Sequence, residues 1–319
     1  MKRMTAVSLM CMMFFTTISI YGRQNVRESI LAGSWYPGSK QALHTEVQSF
    51  LDKADPENVT GRIFAIISPH AGYRYSGRAA AYGYKLLKDK DIQRVIVLAP
   101  SHQWGFRGAS ILDVDAYETP LGVVPVDQEA GDQLRTHPLI ENIPQADMRE
   151  HSLEIQLPFL QEVLGEFKLV PLVIGQLRGN DYSDIAQAIK PLLDDKTVVV
   201  VSSDFTHYGY NFSYIPFRDN VKNNLAKLDG GAVDTILNKN FDGFRSYLSD
   251  TGITICGKDP ICVLLQMLPE NADGTKLIYY TSGDVTGDFV SSVSYVSIVF
   301  TVPEPSQPEQ SPAETTNSQ

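Results

Sequence analysis

The chain has 319 residues, 43% of them hydrophobic and 20% charged, and a formal net charge of -10. This composition supplies enough apolar material for a substantial globular core. So acidic a chain, with no basic run, excludes a nucleic-acid partner.

Residues 1–23 begin with Lys2 and Arg3 and continue in mostly apolar and small residues to Ile20. A stretch this short, diluted by Thr and Ser, reads as a secretory signal rather than a membrane span; an uncleaved N-terminal anchor is the alternative. The expected location is periplasmic or extracellular, with membrane contact only through that segment. Residues 39–54 form an amphipathic pattern and predict a helix. Four aliphatic runs follow along the chain: RIFAIIS at 62–68, RVIVLA at 94–99, FKLVPLVIG at 167–175 and TVVVVS at 197–202. Their apolar residues are successive rather than alternating, as in strands buried on both faces. Helical patterns separate them at 77–87, at 152–164 with a kink or new start at Pro158, and at 181–193. This alternation predicts an α/β fold with a mainly parallel sheet covered on both faces. In the last third, 220–237 and 260–268 read as helices. Residues 277–280 and 292–302 read as strands that extend the sheet antiparallel, the second with one break in alternation that permits a bulge. From 303 to 319 large apolar residues are absent and Pro, Gln, Ser and Glu dominate, which predicts a disordered tail. No linker interrupts 24–302, so one domain is the simplest organisation. Oligomeric state is left open.

The histidines fall in a pattern on this scheme. The first run closes in Ser68-Pro69-His70, the second in Pro100-Ser101-His102, and the fourth in Ser203-Asp204-Phe205-Thr206-His207. Each is a buried strand, then small or turn residues, then histidine. Parallel strands present their carboxyl ends on one edge, where open α/β sheets bind ligands. Three of the six histidines are thus expected to converge. Neutral imidazole is the commonest transition-metal ligand and also exchanges protons near neutral pH. Three of them can form one face of a site with a position left open. A metal-free proton-transfer site is the alternative. Asp204 can ligate, orient an imidazole or cap a turn. His151 and Glu154 share a helix face and are candidates for acid–base work, with N-terminal capping around Glu150 and Ser152 as the alternative. His44 and His137 are expected at the surface.

Cys11, Cys256 and Cys262 are too few for a disulfide scaffold. Cys256 precedes a helix expected near Pro260, where a thiol has a lowered pKa and can ligate metal; pairing with Cys262 is the alternative. Residues 252–258 fit the spacing of a phosphate loop, but Asp259 replaces the required Ser or Thr and no aliphatic strand precedes them. No dinucleotide fingerprint or nucleophile elbow is present.

The chain resembles the Memo family, also called AmmeMemoRadiSam system protein B. The stretches that carry the likeness run in order: AGSWYPG at 32–38, SPHAGYRYSG at 68–77, APSH at 99–102, YETPLG at 117–122, EHSLEIQLPFL at 150–160, VSSDFTHYG at 201–209, TICG at 254–257 and SSVSY at 291–295. The resemblance implies a three-layer α-β-α fold like that of class III extradiol dioxygenases. It also implies a pocket lined by His70, His102, His207 and Cys256, with His151 and Asp204 beside them. Metal binding, by iron or copper with zinc as a further candidate, and redox activity would belong to that pocket. A cysteine in place of the dioxygenase carboxylate softens the site and favours thiophilic metals. The expected function is a metal-dependent, dioxygenase-like oxidoreductase. It would use His207, His151 and Asp204 in catalysis on a small-molecule or peptide substrate. A non-catalytic metal- or peptide-binding protein is the alternative, with Tyr73, Tyr75, Trp104 and Tyr208 as stacking surfaces.

Overall fold

All four aliphatic runs are strands, Arg62–Ser68, Arg94–Pro100, Lys168–Ile174 and Thr197–Ser202. The computed structural model describes residues 25–304. The leader expected at 1–23, and all but the first two residues of the tail expected at 303–319, lie outside the described residues. Across the sheet the strands run in the order 62–68, 197–202, 94–100, 168–174, and each neighbouring pair is parallel. Ser68 stands opposite Ser202 and Pro100 opposite Ile174, so the carboxyl ends reach a common edge.

Successive strand residues face opposite sides, and here both sides are covered. Ile67, Leu98, Leu172 and Val201 enter a core shared with helices Asp181–Ile189, Val221–Leu237 and Lys258–Met267. Ile66, Val97, Val173 and Val200 enter a second core under helices Lys40–Lys53, Tyr73–Lys85 and Leu157–Leu164. That is why the runs are apolar at every position: each such side chain contributes ~1.5–3 kcal/mol on leaving water. The result is a three-layer α-β-α arrangement, parallel at the centre of its sheet.

The edge beside Arg62–Ser68 and Thr197–Ser202 is antiparallel, as the C-terminal patterns predict. Ser292–Val302 pairs with Arg62–Ser68, and Asp273–Thr281 pairs with Ser292–Val302. A register shift falls between Phe300 and Thr301 rather than at the break in alternation between Tyr295 and Val296. The expected helix at 152–164 is two helices, His151–Glu154 and Leu157–Leu164, with Pro158 in the first turn of the second. Proline has no N–H to continue the first helix but fits the start of a new one. The helix expected from 77 begins at Tyr73, directly after the loop that carries His70. No helix among the described residues is long and apolar enough to cross a membrane.

The sequence patterns did not reveal a small sheet of Val26–Arg27, Ala116–Thr119 and Gly122–Pro125. It delivers Arg27 into the interior. The buried Arg27 guanidinium pairs with Glu154. It also donates to the carbonyl oxygens of Asp147 (3.2 Å) and Glu150 (2.8 Å). Glu154 further accepts from Ser29 Oγ and Tyr36 OH, both at 2.7 Å, and from Leu31 N at 3.0 Å. Glu154 therefore binds residues 27–36 to the rim of the sheet and is spent on that contact. Removing one partner leaves an uncompensated buried charge. Glu154→Ala and Arg27→Ala should each lower unfolding free energy by about 3–5 kcal/mol, as measured by chemical denaturation.

Candidate metal centre

The edge loops place three imidazoles together. One nitrogen each from His70, His102 and His151 lies within 4.8 Å of the other two. Ring centroids are 5.2 Å apart for His70 and His102, 5.4 Å for His70 and His151, and 4.6 Å for His102 and His151. His70 is 2% exposed, and the side chains of His102 and His151 are 28% and 17% exposed.

Hydrogen bonds decide which nitrogens are available. Ser202 Oγ donates its one proton to Ser152 O at 2.6 Å and accepts from Gln156 Nε2 at 2.7 Å. His70 Nδ1, 2.8 Å from the same oxygen, must therefore donate. That leaves Nε2 of His70 unprotonated, an acceptor with the Cys256 thiol 3.0 Å away. His102 Nδ1 lies 2.9 Å from Glu150 Oε1, which as a carboxylate only accepts, so His102 also presents Nε2. Both pairs are the outer contacts that fix a ligand's tautomer and ring orientation.

Glu150 gathers the group. Its carboxylate accepts from the backbone N–H of His102 (2.6 Å), His151 (3.0 Å) and Ser152 (3.1 Å) as well as from the His102 ring. It is the N-cap of helix His151–Glu154, as capping chemistry predicts. Burial opposes its ionisation, but the His102 contacts prevail and hold it at about 2. Burial likewise keeps His70 well below the ordinary histidine range, with His102, His151 and His207 adding to the effect. His151 is lowered to about 4, chiefly by burial. Trp35, on the segment clamped by Glu154, packs on the His151 ring at 4.6 Å.

The group within 4.8 Å contains His151 rather than the expected His207, which lines the same cleft beside it. His207 lies five positions past the end of its strand, against two for His70 and His102. The intervening chain turns into a short strand, His207–Tyr208, paired with Ser292 and Val293. His207 Nδ1 is within reach of Phe205 O (2.9 Å) and Thr254 O (3.1 Å) and donates there. Its ring lines the same cleft and meets Phe212 edge-on at 5.1 Å. Asp204 also lines the cleft, where its carboxylate accepts from His70 N at 2.7 Å and so braces the His70 loop. Burial pushes its carboxyl above the usual range.

Cys256 is beside the centre, with Sγ 3.0 Å from His70 Nε2. The loop reaches so far in because its next residue is glycine. A Cβ at Gly257 would stand 2.4 Å from Ser203 Cβ and 2.6 Å from Ser202 O. The lowered thiol pKa expected ahead of a helix is not what burial produces. Burial, followed by the Asp204 carboxylate, pushes Cys256 well above its ordinary value. Cys256 and Cys262 are both free thiols, and Cys262 is in the core.

The cleft over the triad has a volume of about 920 Å³ and is walled by Trp35, Tyr75, Phe212 and Tyr295. Of the aromatic residues expected to line the site, Tyr73 and Tyr208 are instead buried, with hydroxyls donating to Ile155 O and Phe217 O. Trp104 lines a separate cleft. His44 is at the surface, paired with Glu162. Sequence patterns gave no role to Ser202, Gln156, Arg27 or Trp35, because their site contacts lie far away along the chain.

An α-β-α sheet whose strand ends carry an imidazole cluster defines the class. The Memo-like protein family matches residues 27–299, and the chain belongs to that family. It is 33% identical to the protein memo-1 homolog of Caenorhabditis elegans over 294 residues, covering 88% of this chain and 83% of that one. It is 33% identical to a MEMO1 family protein of Nitrosopumilus maritimus (86% and 99% covered) and 32% identical to human protein MEMO1 (86% and 97%). Among solved structures, the uncharacterized protein JW3007 of Escherichia coli K12 aligns with a TM-score of 0.46 at 13% identity, over 75% of this chain and 99% of that one.

The neutral imidazoles make stability depend on pH. The unfolded chain takes up a proton at His151 near pH 6.5, whereas the folded chain does so only near pH 4. Stability contributed by neutral His151 is therefore present above pH 6.5 and lost as pH falls toward 4. The loss should be about 3 kcal/mol. Glu150 does not mask it, because its own loss begins only below the ordinary glutamate range. Asp147, whose carboxyl burial raises to about 7, titrates over the same range with the opposite sign, so the His151 contribution is read as a difference: the gap in unfolding free energy between metal-free protein and its His151→Gln variant should change by that amount between pH 7 and 4.

Proposed function

We propose that the chain holds a transition-metal ion on His70, His102 and His151 and uses it in redox chemistry on a small phenolic or peptide substrate. The observation that carries this reading is the convergence of three imidazole nitrogens, with the tautomers of His70 and His102 set by Ser202 and Glu150 so that Nε2 is the unprotonated nitrogen. Three neutral nitrogens suit iron, copper or zinc, and the Cys256 sulfur beside His70 favours the softer members of that set. Iron or copper would supply electron exchange and an open coordination position. His207 and Asp204, which line the cleft, would exchange protons with a bound substrate. Trp35, Tyr75, Phe212 and Tyr295 would orient it and exclude water from one side. The leader at 1–23 would direct the protein out of the cytoplasm.

Elemental analysis of protein purified without chelator tests the ligand set. About one equivalent of metal per chain is expected. His70→Ala, His102→Ala and His151→Ala should strip it, and His207→Ala should retain it. Glu150→Gln should weaken affinity roughly 10- to 100-fold through the lost His102 contact. Full metal content in His70→Ala would remove the assignment. Oxygen uptake with a panel of catechols then separates an enzyme from a binder. Turnover that disappears in His207→Ala supports catalysis, whereas tight binding without turnover supports the non-catalytic alternative.

A further inference from the structure

His102 lines two clefts. Besides the aromatic one, a second cleft of about 770 Å³ reaches it, lined by Trp104, Tyr182, Arg245, Cys256, Lys258 and Asp259 among others. His102 is the one residue these two clefts share. The centre therefore has two approaches, and their chemistry differs.

The second approach is basic. The chain as a whole carries 37 acidic against 27 basic residues, so acidic partners for a surface cation are plentiful. Yet among the described residues neither Arg245 nor Lys258 has a carboxylate within salt-bridge distance. The Arg245 guanidinium instead lies over the Tyr182 and Phe241 rings, 5.3 and 5.6 Å from their centroids, which holds it in place without using its N–H groups on an acid. Asp259, next to Lys258 in the chain, accepts from Tyr182 OH at 2.8 Å; burial raises its carboxyl, with Lys258 and Arg245 opposing from a distance. Trp104 is 49% exposed, a large flat apolar surface on the same cleft.

We propose that this cleft binds a small planar carboxylate, with the acid group on Arg245 and Lys258 and the body against Trp104. Two cations facing one tied acid suit a singly charged anion, and guanidinium matches carboxylate in a planar fork. The volume is that of a small-molecule site, far larger than a lone carboxylate needs. A ligand so held would extend toward Cys256 and His102. The binding itself does not depend on a metal; only its role as a second approach to the centre rests on the reading under "Proposed function".

Calorimetric titration of the full chain with 2-naphthoate and with its neutral amide tests the site. Saturable binding is expected for the acid, about tenfold tighter than for the amide. Arg245→Gln, Lys258→Gln and Trp104→Ala should each weaken the acid by roughly three- to tenfold, with metal content unchanged. Binding should persist in His151→Ala whether or not that variant retains metal, which separates this site from the metal assignment. Equal affinities for acid and amide in the unaltered chain would overturn the proposal without any variant. Unchanged affinity in the Arg245→Gln/Lys258→Gln double variant, or the absence of saturable heat with the acid, would overturn it as well.

Discussion

The carboxylate of Glu150 accepts four hydrogen bonds, three from backbone N–H groups and one from the His102 ring. It lies at the start of the helix that carries His151 and reaches the loop that carries His102, so two of three imidazoles are set by one anion. Its ionisation is maintained against burial by those same contacts. Were it neutral, one oxygen would have to donate, and the helix start and the His102 loop could not both be satisfied. The cluster geometry therefore depends on a charge that the site itself stabilises.

His70 is set by a different device. Ser202 stands directly opposite Ser68 in the parallel ladder, so the residue that fixes the His70 tautomer comes from the neighbouring strand at the same level. Gln156 and Ser152 leave Ser202 Oγ no role toward the ring except acceptor. A neutral imidazole with Nδ1 occupied and Nε2 unprotonated is the form that ligates metal. His70 and His102 thus reach the same chemical state by separate routes, one through a hydroxyl and one through a carboxylate.

Around this centre the fold supplies unlike surroundings. Arg27 and Glu154 bind residues 27–36 against the rim and bring Trp35 over His151. Gly257 lets the Cys256 loop press onto the end of the strand Thr197–Ser202. An aromatic cleft and a basic cleft both reach His102, which is consistent with its being the more exposed of the three. Glu154, which shares a helix face with His151 and on spacing alone qualifies for acid–base work, is instead bound in the clamp. Helix periodicity places two side chains on a face but does not say what that face meets.

The sequence alone determined the layered architecture. Successive apolar residues in RIFAIIS and TVVVVS can be buried only in strands covered on both sides, and that information is local. It also determined that His70 and His102 follow strand ends closely enough to remain at the sheet edge. Only the tertiary structure decided that His151 joins them while His207 remains on the cleft wall. The deciding contacts link residues 48 apart for His102 and Glu150, 132 apart for His70 and Ser202, and 186 apart for His70 and Cys256. Their formation depends on which strands become neighbours and at what register. A short-range pattern carries no term for strand order, so loops of similar sequence grammar can end at different depths in the site.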